Sequence, residues 1–113
     1  MTQIIRSAAR DDIIRQFRYY LLDQKLPEVA DRFVEAVQHA IQEIVRTPGM
    51  GAPKHLSNKS LNGLRSSQVQ GFENIRVWYL SGHGPVQVIR VLHGKRDINR
   101  ILESESVVDE PHG

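Results

Sequence analysis

Val88-Ile89-Arg90-Val91-Leu92-His93-Gly94-Lys95-Arg96-Asp97-Ile98 is the stretch that decides how this chain is read. Apolar, mostly β-branched residues surround a single arginine, the composition of a strand rather than of a surface helix. His93-Gly94 ends that strand, and Asp97–Leu102 follows with one or two helical turns. An arginine inside an apolar strand needs a carboxylate beside it. Asp97 and Glu73 are the expected partners of Arg90.

Working outward, the period upstream is also extended. Leu64–Val69, Ile75–Leu80 and Val86–His93 form three strands, joined by the Gly-containing connections Gln70–Asn74 and Ser81–Pro85. Connections that short make successive antiparallel neighbours. Before them the period is helical. Ala30, Phe33, Val34, Val37, Ala40, Ile41, Ile44 and Val45 hold i, i+3, i+4, i+7 spacing in a helix that starts at Pro27 and stops at Thr47-Pro48-Gly49-Met50-Gly51. Ala9, Ile13, Phe17, Tyr20 and Leu21 make a second stripe, with Ser7 as its cap and Asp11 and Asp12 at the positive end of its dipole. The break at Asp23–Leu26 makes these helices an αα-hairpin. Gln3–Ser7 is a short first strand, and Ala52–Asn62 is a polar surface loop. The fold class is α+β, in the order β-α-α-β-β-β(-α): an N-terminal strand, then a helical hairpin packed on one face of a small antiparallel sheet. Residues 1–103 are expected to form a single domain and residues 104–113 an acidic flexible tail. The second face of the sheet is expected to stay partly exposed, apolar and basic, and to need a partner.

Charge is unevenly distributed behind a formal net of +2. Residues 1–53 are balanced. Residues 54–102 carry eight Lys/Arg against Glu73 and Asp97 alone, and residues 103–113 add four acids. A basic half attracts an acidic partner or nucleic acid. With no cysteine, disulfides and thiolate metal sites are excluded. No apolar run is long enough to span a membrane, and Met1–Arg6 lacks the apolar core of a secretory signal, so a cytoplasmic location is expected.

Arg65, Arg76, Arg90 and Arg96 all lie on or just after strands, and two or three converging on the open face would bind phosphates or carboxylates. Arg90 reads as structural; Arg65 and Arg96 are the better functional candidates. His93 at a strand end has the chemistry of a general acid or base. His39, His55, His83 and His112 have no metal-ligand spacing, so no metal and no cofactor is expected. Trp78 and Tyr79 point to opposite faces, one into the core and one to the helix-free side.

These segments resemble the ParE branch of the RelE/ParE toxins of bacterial toxin–antitoxin pairs. Pro48-Gly49-Met50-Gly51 is similar to that family's loop after the second helix, Gly63-Leu64-Arg65-Ser66 to its first hairpin strand, and Val69-Gln70-Gly71-Phe72-Glu73-Asn74 to its turn. Ile89–Ile98 follows its last strand almost entirely, and the resemblance runs from about Ile4 to Leu102. Ala52, Ile75 and Leu80 depart from the family pattern. The resemblance implies a toxin silenced by a cognate antitoxin, an acidic, partly disordered protein with a DNA-binding N-terminal half. It implies DNA gyrase as the target and no catalytic site. Gly71, Phe72 and Asp97 would be structural, while Arg65, Arg76, Trp78, Arg90, Lys95 and Arg96 would contact target or antitoxin. A RelE-like endoribonuclease cutting messenger RNA on the ribosome is the alternative, with Arg65, Arg90, His93 and Arg96 as its residues. A non-toxic module that titrates the antitoxin is the third reading.

Overall fold

The computed structural model describes residues 3–82 and 84–106. Strand β1 (Gln3–Ile5) leads into helix α1 (Ser7–Arg18), which continues as a π-helical turn over Tyr19–Asp23. Helix α2 (Pro27–Arg46) returns antiparallel to it, beginning at the proline that suits a first helical turn. Strands β2 (Ala52–Pro53), β3 (Arg65–Val69), β4 (Phe72–Leu80) and β5 (Val86–His93) follow, then helix α3 (Ile98–Glu103). The expected α+β architecture is the observed one. The sheet is mixed, in the order β1-β5-β4-β3-β2, with β1 parallel to β5 and the other pairs antiparallel. Among the described residues no helix is long and apolar enough to cross a membrane.

Helices α1 and α2 cover one face. Phe33, Val37, Ile41 and Ile44 pack on Ile75, Val77 and Tyr79 of β4, the alternation expected of that strand. The Tyr79 hydroxyl donates to Pro48 O at 2.7 Å and accepts from Gly51 N at 3.0 Å. Gly51 lies so close that a Cβ there would stand 2.4 Å from that hydroxyl oxygen, which accounts for glycine at this position. Tyr20, Phe33 and Phe72 form an aromatic triangle with ring centroids 5.5–5.6 Å apart, placing Phe72 in the core and Gly71, at φ +85°, in the turn before it.

The second face is not open. Trp78, Ile89 and Leu92 are buried beneath Leu61, Leu64 and Leu102, with Leu56, Ile98 and Ile101 around them. The segment expected to be a polar surface loop, Ala52–Asn62, supplies Leu56 and Leu61 to this cover, joined just before β3 by Leu64, which was expected to open a strand. It is latched to α3: Ser57 N–H and Oγ–H donate to the Glu103 carboxylate at 3.0 Å each, and the Asn58 amide donates to Leu102 O at 2.8 Å. Leu61 and Leu64 are fully buried and Leu56 partly so once a turn at Lys59–Leu61 folds them inward. Trp78 is therefore core rather than partner-facing, and its indole N–H is buried without an acceptor among the described residues.

A bulge also corrects the faces of β5. Trp78 pairs with Arg90 and Tyr79 with Val88, so Ile89 is the extra residue. Val88 and Val91 face the helices while Ile89 and Leu92 face α3, whereas strict alternation groups Ile89 with Val91.

Past the bulge β5 becomes an edge, because β1 pairs with it only as far as Ile5↔Val88. Asp12 takes over. Its carboxylate accepts from Val91 N at 2.9 Å and from Arg90 Nε and Nη2 at 2.7 and 2.8 Å. Arg90 Nη1 donates to Glu105 at 2.6 Å. The partners of Arg90 are thus Asp12 and Glu105, not Asp97 or Glu73. Asp97 instead caps α3, and Glu73 accepts from Gly71 N at 2.8 Å. Asp12 leaves the dipole role to no one, as the first turn of α1 holds no acid, and the N-cap position falls on Arg6 rather than Ser7. The stretch expected to be a flexible tail is tied down at Glu105; the rest of it, residues 107–113, lies outside the described residues.

Two outcomes follow from this packing. The Asp12 side chain is 2% exposed and that of Arg90 12%, so Asp12→Ala leaves Nε and Nη2 of a buried guanidinium and an edge N–H without their acceptor, with only Glu105 still on Nη1. Chemical denaturation should register a loss of about 3 kcal/mol or more. Burial raises the Tyr20 pKa above the ordinary 10.0, against a smaller lowering by the hydrogen bond with Gln16. A raised folded-state pKa gives stability that is complete below pH 10 and lost as pH rises through the folded value. Stability measured between pH 9 and 11 should therefore fall with pH, and Tyr20→Phe should flatten that slope.

Candidate functional site

Where β5 ends, the chain turns tightly to reach α3. Gly94 N–H donates to Asn74 O at 2.7 Å, and Arg96 N–H donates to His93 O at 3.0 Å. His93 Nδ1 accepts the Lys95 N–H at 3.1 Å. The turn throws Lys95 and Arg96 outward, both exposed, toward the outer side of α1. Together with Arg15, Gln16, Tyr19 and Tyr20 they line a cleft of about 520 Å³. Three cations, two tyrosines and a histidine form its wall, and no carboxylate does. His93 and Tyr20 also border a second depression that reaches Gly71, Phe72 and Glu73.

This is a binding geometry. With Nδ1 accepting a backbone N–H, the imidazole in its neutral tautomer carries its proton on Nε2, as a donor. Acting as a base would require breaking the turn that positions it. Fixed donors and cations suit carboxylates or phosphates, and the tyrosine rings add apolar area that a purely ionic site lacks. Among the described residues no group of three or more His, Asp or Glu side chains stands where it could hold a metal ion. His39 is paired one turn away with Glu43 at 3.8 Å; His83 and His112 lie outside the described residues.

The residues singled out in the sequence divide sharply. Lys95, Arg96 and His93 come together in the cleft. Arg65 does not join them: it lies opposite Tyr79, at the other end of the sheet from His93, which lies opposite Ile75. There its Nη1 donates to Gly51 O at 2.6 Å and holds the loop after α2. Arg76 is bound to Ser66 through Oγ at 2.8 Å and O at 3.3 Å. Arg90 is held by two carboxylates; hydrogen bonding to Asp12 pushes its pKa up against the opposing effect of burial, and Glu105 adds to the rise. It stays a fixed cation.

Sequence reasoning missed Arg15, Tyr19 and Tyr20 as site residues and Asp12 as the partner of Arg90. A signal for Asp12 existed. It stands three residues after Ala9, inside the apolar stripe of α1, where an acid is out of place unless a buried base meets it. The cleft left no such trace, since its two walls are nearly 80 residues apart in the chain.

The chain matches the family model described as "ParE toxin of type II toxin-antitoxin system, parDE" over residues 4–98. Its fold is similar to that of a solved chain titled "Chromosomal ParDE TA system from P. aeruginosa", with a TM-score of 0.67 and 17% identity over 82% of this chain and 95% of that one. No curated protein matches the sequence. With the family model spanning β1 through the start of α3, this chain belongs to the ParE toxins of type II toxin–antitoxin systems.

Proposed function

We propose that this chain arrests growth in the cytoplasm by binding DNA gyrase, without a catalytic step of its own, and that a cognate antitoxin silences it. The cationic, tyrosine-lined cleft of Arg15, Tyr19, Tyr20, Lys95 and Arg96 is the observation that carries this reading. Its cations and rings offer a macromolecule both charge complementarity and apolar contact. The antitoxin of this reading is an acidic segment that orders on binding, its carboxylates steered by the cleft and its apolar side chains supplying most of the affinity. Because α3 and residues 54–64 occupy the second sheet face, that segment takes the cleft and the helical layer rather than the sheet.

The ribonuclease alternative is less well supported. Of its four residues, Arg65 holds a loop at the far end of the sheet and Arg90 is bound on both sides, leaving His93 and Arg96 alone.

Supercoiling by purified gyrase is the test. Added toxin should inhibit it and accumulate cleaved DNA, and antitoxin should restore activity. Lys95→Glu with Arg96→Glu, both exposed and outside the core, should raise the concentration needed for inhibition by about tenfold or more. Undisturbed supercoiling sinks the proposal. Messenger cleavage at ribosomes in expressing cells would then support the nuclease reading, and unimpaired growth without antitoxin would support a titrating module.

A further inference from the structure

The two phenols and the imidazole that line the cationic cleft each already accept a hydrogen bond from the chain itself. His93 Nδ1 takes the Lys95 N–H at 3.1 Å. Tyr19 Oη accepts from the Gln24 amide at 3.0 Å. Burial raises the Tyr20 pKa; the Gln16 hydrogen bond opposes it, and so is one donated to the phenol oxygen. What each of these groups has left to offer is its proton. Arg15, Lys95 and Arg96 add donors that cannot accept. Among the lining side chains only the Gln16 carbonyl remains as a free-standing acceptor.

From this imbalance we propose that the cleft takes the phosphodiester backbone of DNA. The inference deepens the gyrase reading and rests on it for the cleft being the working surface; gyrase holds DNA, and that DNA is the ligand. Hydrogen bonding separates it from the loops of a target protein. Every non-proline residue of such a loop brings a backbone N–H that needs an acceptor, and this wall is nearly without them. The backbone of DNA brings phosphate and sugar oxygens, all acceptors, and no donor. Arginine forks match the oxygens of a phosphate, and the neutral donors add hydrogen bonds that a purely ionic patch lacks. The Tyr19 ring, 43% exposed, supplies a face for a sugar or a base beside the cations. Carboxylates on an antitoxin helix are acceptors as well, since the helix satisfies its own N–H groups. Antitoxin and DNA therefore exclude one another from the cleft.

Fluorescence anisotropy of a labelled DNA duplex, titrated with the purified full chain in the absence of gyrase and antitoxin, tests this. Three cations on phosphates give a slope of log affinity against log salt of about −2.7. Arg15→Ala and Arg96→Ala, both at exposed positions, should each weaken binding about tenfold and make the slope shallower by about 1. Tyr19→Phe keeps the ring and loses the proton; it should weaken binding about threefold and leave the slope unchanged. Arg32→Ala, at an exposed position on α2 outside the cleft, should change neither. No binding at low salt overturns the inference. So does an equal loss in Arg32→Ala, or polyglutamate of matched charge binding as tightly as the duplex. Supercoiling separates the two readings. Inhibition that persists without DNA binding keeps gyrase and removes DNA, whereas DNA binding with undisturbed supercoiling does the reverse.

Discussion

Everything in this fold hangs on a carboxylate finishing a strand ladder. β1 is three residues long and leaves β5 unpaired just where the bulge at Ile89 turns Arg90 toward the edge. Asp12, delivered by α1, accepts the orphaned Val91 N–H and is neutralised by the fork of Arg90, whose remaining nitrogen reaches Glu105. One residue thereby joins the helical layer, the sheet and the segment after α3. A buried ion pair of this kind adds little net stability over an apolar replacement, but removing one partner is costly. What it contributes is a fixed contact: Asp12 ties α1 to Arg90 and Val91 of β5.

The second consequence concerns burial. A five-stranded sheet with helices on one side leaves an apolar face that water penalises. This chain covers that face from its own sequence with three leucines in an irregular loop and a helix of six residues, held together by side-chain bonds from Ser57 and Asn58. The second sheet face is thereby closed by the chain's own residues. The surface open to other macromolecules is therefore helical.

Electrostatics are sorted by the same packing. Of the basic residues carried by the second half of the chain, Arg65, Arg76 and Arg90 are consumed in fixing loops, strands and layers. Lys95 and Arg96 escape because the turn after His93 is closed by backbone groups and the His93 imidazole, not by their own side chains. A net local charge becomes a site when structural demands are met and cations are left over. That residue of charge meets Arg15 and the tyrosines of α1 in one cleft without a carboxylate in its lining.

Hydrophobic periodicity by itself determined both long helices, the three-stranded meander and the alternation along β4, because each depends on neighbours within a few residues. The hairpin connection at Gly71 was legible from its glycine and its shortness, though Phe72, expected within that connection, opens β4. Only tertiary structure decided the rest. Arg90 chose Asp12, 78 residues away, over nearer carboxylates, because strand geometry and the end of β1 brought that oxygen to the edge. The bulge reversed side chains that alternation had assigned, and a loop polar by composition sent Leu56 and Leu61 into a second core. Contacts between distant segments obey no period, so their chemistry is written in the sequence but their meeting is not.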